Sequence, residues 1–151
     1  MFDAHAPALL GMFRRLCGDP HDVDEAFQET ALRVWRHIEQ APWLRSPRAW
    51  LLTVGYRVLV DVRRRCPAAS GVEELTDSSS GAAETLAEQR ELHELAQTLI
   101  SKLPVALRDV VVLHYTAGLS LRETAAALDL PQGTVKTRLH QALTLLRKEM
   151  K

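Results

Sequence analysis

The chain has 151 residues, of which 46% are apolar, enough to bury one medium core or two small ones, and it carries equal numbers of cations and acids for a formal charge of zero. That total conceals a pattern: residues 1–66 hold ten Lys+Arg against eight Asp+Glu, residues 67–89 none against five, and residues 90–151 nine against six, so two mildly basic parts flank an acidic middle. Two solitary cysteines, Cys17 and Cys66, encode neither a disulfide framework nor a zinc site, and with no leader and no apolar run near ~20 residues the expectation is a cytoplasmic protein without membrane insertion.

Three helices are predicted in the first part. One runs from about Ala6 to Leu16 and stops at Gly18. A second opens at Asp19-Pro20, a capping acid followed by a proline in the first turn, and runs to about Gln40. Its inward stripe is Val23, Phe27, Thr30, Val34 and Ile38, which turns Glu25, Gln28, Glu29, Leu32 and Arg36 outward. Leu32 among these polar and acidic neighbours reads as an apolar anchor with a polar rim, the construction of a protein-docking surface; a plain solvated face is the alternative.

The third helix begins at Ser46-Pro47 and continues through Arg65 until Pro67 stops it. Trp50, Leu51, Val54, Val58 and Val62 are its apolar positions, while one arc collects Thr53, Tyr56, Arg57, Arg63 and Arg64. Just upstream, Trp43, Arg45 and Arg48 add a ring and two cations. Rings that stack bases, interleaved with guanidinium groups that hold phosphates, suit single-stranded DNA. Trp35 and Trp50 are expected in the core, and Asp61, on the inward arc, as a buried, hydrogen-bonded structural acid.

From 67 to 83 the composition turns to serine, glycine, alanine and acids, as expected of a flexible tether. Helices resume at Glu84–Ser101 and Pro104–Tyr115, the latter ending at Gly118, with Leu92, Leu95, Leu99, Val110, Leu113, Leu121, Leu128, Val135 and Leu139 as the core of a second unit. The run from Gly118 to His140 then reads as two short helices joined by an Asp-Leu-Pro turn, a helix-turn-helix. Ser120 and Glu123 form a capping box, and Pro131 opens the second helix. On that helix Val135, Leu139, Ala142 and Leu146 face inward. Thr137, His140, Gln141 and Thr144 face outward, flanked by Thr134 and Lys136, a set suited to base edges and phosphates of a major groove. An amphipathic surface helix with a solvated polar face is the alternative.

Taken together, these residues resemble the extracytoplasmic-function (ECF) family of RNA polymerase sigma factors, which are sigma-70-like. The resemblance rests on the run from Gly18 to Thr30, Leu32-Arg-Val-Trp35, Pro47-Arg-Ala-Trp-Leu-Leu52 leading to Asp61 and Arg63-Arg-Arg65, then Leu103-Pro104, Arg108, Gly118-Leu-Ser120 and the run from Gly133 to His140. It implies an all-α chain: residues 1–66 as sigma domain two, 67–83 as an acidic linker, and 84–151 as sigma domain four. It implies that Glu25, Gln28, Glu29 and Leu32 dock on core RNA polymerase. Trp43, Arg45, Arg48, Thr53, Tyr56, Arg57, Arg63 and Arg64 would hold the melted downstream promoter element. Gln132, Thr134, Lys136, Thr137, Arg138, His140 and Gln141 would read the upstream element as duplex. Arg57 stands where such factors usually carry Asn, and Gln141 where they often carry a basic residue. An anti-sigma protein is a further expected partner. No catalytic triad or metal-ligand spacing is recognisable, so neither an enzyme, a cofactor nor a metal is expected. Asp22 and Asp24 alone make a poor nuclease site. The rival reading is a stand-alone regulator of duplex operators, which would leave the Glu25-Gln28-Leu32 surface idle.

Overall fold

The computed structural model describes residues 2–40, 46–65 and 84–150, and among these it is helical throughout, without strands. The expected linker 67–83, and with it Cys66, lies outside the described residues, as do Trp43 and Arg45. The helices are α1 (Phe2–Leu16), α2 (Pro20–His37, extended by a 3-10 turn at Ile38–Gln40), α3 (Pro47–Arg65), α4 (Glu84–Ser101), α5 (Val105–Val111, continued by a π turn to Thr116), α6 (Leu121–Leu128) and α7 (Gln132–Glu149).

Local chemistry accounts for most of these boundaries. Asp19 caps α2 by accepting from the His21 amide at 2.9 Å, and the Ser46 hydroxyl accepts from the Ala49 amide at 3.2 Å ahead of α3. Helix α1 starts earlier than its sequence suggests and carries Pro7 internally. Its first turn is anchored by Phe2, whose ring meets Phe27 of α2 edge-on with centroids 5.4 Å apart.

Helices α1 to α3 pack around Leu9, Met12, Phe13, Leu51, Leu52, Val58, Leu59 and Val62, all buried. The close approach of α1 and α3 needs Gly55, where a Cβ would stand 2.4 Å from Leu9 Cδ1 and 3.2 Å from Phe13 Cζ. This core does not end at the first unit. Val112, Leu113, Ala117, Leu119 and Ala127, from the π turn to α6, belong to the same buried cluster. A second cluster of Leu103, Val110, Val111, Ala125, Val135, Leu139 and Ala142 sits behind it. The two predicted units therefore pack against each other across a continuous apolar seam.

Several predicted core positions lie elsewhere. Trp35 is 77% exposed, and Ile38 is 44% exposed, leaving Val23, Ala26, Thr30 and Val34 as the buried stripe of α2. The reason for Trp35 is phase: it stands three residues after Leu32 and seven after Gln28, on the outward side of α2. Asp61 is half-exposed and pairs with Arg33 at 3.2 Å; among the described residues the buried acid is Asp109, at 4% exposure. Leu92 and Leu95 lie on the solvent side of α4, and Leu99 is only partly buried, because the inner side of that helix packs through Ile100.

Candidate polymerase and nucleic-acid surfaces

The outward side of α2 is built as expected. Glu25, Gln28 and Leu32 are exposed and Glu29 is half-buried, and they line an open depression together with Arg33 and Arg36. Its acids are not bare: Arg65 of α3 reaches Glu25 at 3.2 Å and Glu29 at 3.4 Å, while Arg33 reaches Glu29 at 2.9 Å. Such surface pairs are worth ~0–1 kcal/mol each, so an approaching partner can replace them at small cost. Sequence inspection missed Trp35 here; its i+3 spacing from Leu32 was the available signal.

The helix-turn-helix follows from its own residues. Ser120 Oγ accepts from the Glu123 amide and Glu123 Oε1 accepts from the Ser120 amide, both at 3.0 Å, completing the capping box. Gly118 precedes it at φ 77, a left-handed conformation that costs a glycine nothing. Helix α6 ends at Asp129 with φ 56, a position in the left-handed region that Asp tolerates better than most residues. Leu130 then donates back to Ala125 O at 3.0 Å, which closes the turn into α7.

Val135, Leu139 and Ala142 are buried and Leu146 partly so, leaving Gln132, Lys136, Thr137, His140 and Gln141 exposed and Thr134 and Arg138 half-buried. Two of the hydroxyls on this helix are engaged with its own backbone. Thr137 Oγ1 donates to Gly133 O at 3.0 Å and Thr144 Oγ1 to His140 O at 2.9 Å, so each presents acceptor lone pairs rather than a free proton.

The basic arc of α3 is where geometry departs most from a free single-strand groove. Thr53 spends its hydroxyl proton on Ala49 O at 2.8 Å, and Arg64 is exposed. Tyr56, by contrast, is buried and donates to Asp109 Oδ2 of α5 at 2.6 Å. Arg63 clasps the same carboxylate with both guanidinium ends, at 3.0 Å to Oδ2 and 3.1 Å to Oδ1, and donates to Leu16 O at 2.8 Å. Arg57 donates to Ala126 O of α6 at 3.3 Å, and Arg48 lies beside Gly118, 3.6 Å from where a Cβ would stand.

Burial, reinforced by the Asp109 carboxylate, pushes the Tyr56 phenol well above its ordinary range. Burial alone would lower the Arg63 guanidinium, but its hydrogen bonds to Asp109 and the carboxylate's charge outweigh this and raise it. Neighbouring Arg108 is lowered, first by burial and then by the charge of Arg63. Burial also raises the Cys17 thiol, which lies 3.8 Å from Asp22 Oδ2. Among the described residues no group of His, Cys, Asp and Glu is arranged to hold a metal ion, and no helix is long and apolar enough to cross a membrane.

Comparison with known proteins decides the family. Residues 1–66 match the family model for Sigma-70 region 2, and residues 93–146 match that for Sigma-70, region 4. The chain is 33% identical over 150 residues to the ECF RNA polymerase sigma factor SigL of Mycobacterium tuberculosis, covering 97% of this chain and 85% of that protein.

The chain belongs to the ECF RNA polymerase sigma factors.

A second relative, the ECF sigma factor SigW of Bacillus subtilis, is 30% identical over 161 residues, covering 99% of this chain and 86% of that one. Among solved structures, CnrH in complex with the cytosolic domain of CnrY superposes with a TM-score of 0.67 at 26% identity, over 99% of this chain and 84% of that one. The fold is shared also with RpoE of Bartonella quintana, solved with the anti-sigma factor NepR, at a TM-score of 0.71 and 19% identity over 97% and 92% of the two chains. This ECF sigma factor is thus a transcription initiation factor with both sigma-70 regions in the expected order.

Proposed function

We propose that this sigma factor docks on core RNA polymerase through the outward side of α2, reads the upstream promoter element with α7, and holds the melted strand of the downstream element with α3 and residues 40–48. Residues 1–66 then act as domain two and 84–151 as domain four, with 67–83 between them. The observation that carries the docking is Leu32, 55% exposed amid Glu25, Gln28 and Glu29 on a helix whose other side is fully engaged. An apolar anchor within a polar rim is what a protein partner desolvates, and a stand-alone operator-binding regulator would leave it unused. Trp35 widens the same surface.

Promoter opening is then a matter of binding energy alone. Extruding a base from the stack costs a few kcal/mol, which stacking on a protein ring at ~1–3 kcal/mol per base and contacts from Arg48, Arg63 and Arg64 to phosphates offset. The protein supplies no catalytic group to this step, and it works in the cytoplasm with polymerase and promoter DNA. An anti-sigma protein is a further partner, as CnrH is held by the cytosolic domain of CnrY.

Charge reversal tests the docking. Glu25→Arg with Gln28→Arg should abolish co-elution with core polymerase while circular dichroism stays that of the parent. Retained co-elution would remove the α2 surface from the account.

A further inference from the structure

Glu25 and Glu29 stand one turn apart on the outward side of α2, and two carboxylates at that spacing repel each other. A cation from the end of α3 relieves them. Arg65 donates to Glu25 Oε1 at 3.2 Å and to Glu29 Oε2 at 3.4 Å, while Arg33 donates to Glu29 Oε1 at 2.9 Å. Both oxygens of Glu29 therefore hold a guanidinium before any partner arrives.

The two arginines are not equivalent. Arg33 shares a helix with Glu29 and is tied on its other side to Asp61 of α3 at 3.2 Å, with a side chain 34% exposed. Arg65 is the last residue of α3, its side chain is 54% exposed, and among the described residues Glu25 and Glu29 are its ion-pair partners. A long cation on a final helical turn, held by two surface pairs, is the one that an incoming group displaces. The acids it leaves cannot stay bare. They rim Leu32, and a contact that desolvates Leu32 also draws water from them, where an unpaired carboxylate is costly.

We infer that Arg65 is a built-in competitor for the docking surface: it occupies the place on Glu25 and Glu29 that a cation of core RNA polymerase takes, and it thereby sets the affinity of docking. This rests on the assignment of the α2 surface to polymerase. Docking is then an exchange of one cation for another, so a surface that buries Leu32 but offers no cation is rejected, because it strands two acids. Arg65 acts through those acids and is an affinity-setting residue rather than part of the anchor.

The test titrates labelled full-length protein with core RNA polymerase and reads the dissociation constant by fluorescence anisotropy. Arg65→Met keeps the stem and removes the competing cation, and Arg65→Gln serves the same purpose should the Met variant fold poorly. Arg14→Met, on the exposed side of α1, controls for the loss of any one positive charge. Arg65→Met should bind about three- to tenfold more tightly than the parent, the worth of two exposed ion pairs that no longer have to be broken. Arg14→Met should stay within about twofold. The gain should fade as salt is raised, since both competing contacts are ionic.

Unchanged or weaker binding by Arg65→Met and Arg65→Gln overturns the inference; a merely structural role for Arg65 gives that result. An equal gain in Arg14→Met, or a gain indifferent to salt, overturns it as well. The Glu25→Arg, Gln28→Arg variant keeps the two readings apart. If that variant still binds polymerase, the docking surface itself is wrong; if it does not bind while the Arg65 variants gain nothing, the competitor alone fails.

Discussion

Replacing Arg63 with Met keeps the aliphatic stem and removes the guanidinium, and the junction sets the cost. Asp109, with its side chain 6% exposed, would keep one hydrogen bond, from Tyr56, and lose its two from Arg63, while Leu16 O would lose its donor. Breaking a buried pair costs ~3–5 kcal/mol; Arg63 retains 24% exposure, which puts the pair at the lower end. The stranded carbonyl adds ~1 kcal/mol. A loss of ~3–4 kcal/mol is a large part of a total stability of ~5–15 kcal/mol, and at ~2–4 °C per kcal/mol it lowers Tm by about 10 °C.

The double variant Arg63→Met with Asp109→Leu removes both charges, and an apolar pair of similar volume is often neutral. With the double variant near neutral and Arg63→Met alone costing ~3–4 kcal/mol, the cycle, followed by urea titration, should show a coupling of at least ~3 kcal/mol. Additivity within ~0.5 kcal/mol, or a single-variant cost below ~1 kcal/mol, would refute the burial argument. Because the two halves share one apolar seam, a variant that opens before it unfolds should also report itself as a smaller urea m-value.

Three further outcomes are expected. Ser120→Ala removes the acceptor for the Glu123 amide and should cost ~1 kcal/mol in thermal unfolding, with no loss at all placing the start of α6 under tertiary control alone. Burial holds Tyr56 and Cys17 above their ordinary values of 10.0 and 9.0. The unfolded chain ionises first, so stability is full below those values and falls as pH rises through them. Tyr56→Phe should flatten the part of that fall above pH ~10, and an unchanged alkaline profile would count against its burial. Finally, Lys136→Ala and Arg138→Ala should each reduce the slope of promoter affinity against log salt by about one; an unmoved slope in both means that neither side chain touches a phosphate.

Which features the sequence disclosed follows from the range of the interactions involved. Asp19-Pro20, Ser46-Pro47 and the Ser120 and Glu123 pair act within one helical turn, and the structure starts helices at each. The inward stripe of α7 was readable for the same reason, since Val135, Leu139 and Ala142 need only helical periodicity to share a side. Periodicity identifies a side but not what covers it. Leu92 and Leu95 share an apolar side of α4 that meets solvent, while Trp35 belongs to the outward side of α2 despite its size.

The junction was illegible for a different reason. Tyr56 and Asp109 are 53 residues apart and Arg63 and Asp109 are 46 apart, on helices that local rules cannot bring together. A basic aromatic arc on α3 reads identically whether it faces a nucleic acid or an internal carboxylate, because both demand the same donors. Asp61 was the visible candidate for a buried acid, but Arg33 of α2 meets it at the surface, and the truly buried one sits in α5 beside Arg108, where its sequence neighbours give no sign of it.

The measurement that bears most directly on the whole account is run-off transcription by core RNA polymerase on genomic DNA, with and without the protein. New start sites that require the protein, share an upstream sequence, and vanish with the Glu25→Arg, Gln28→Arg variant are the predicted result. Transcripts unaltered by its addition, under conditions where polymerase and protein are both active, would contradict it.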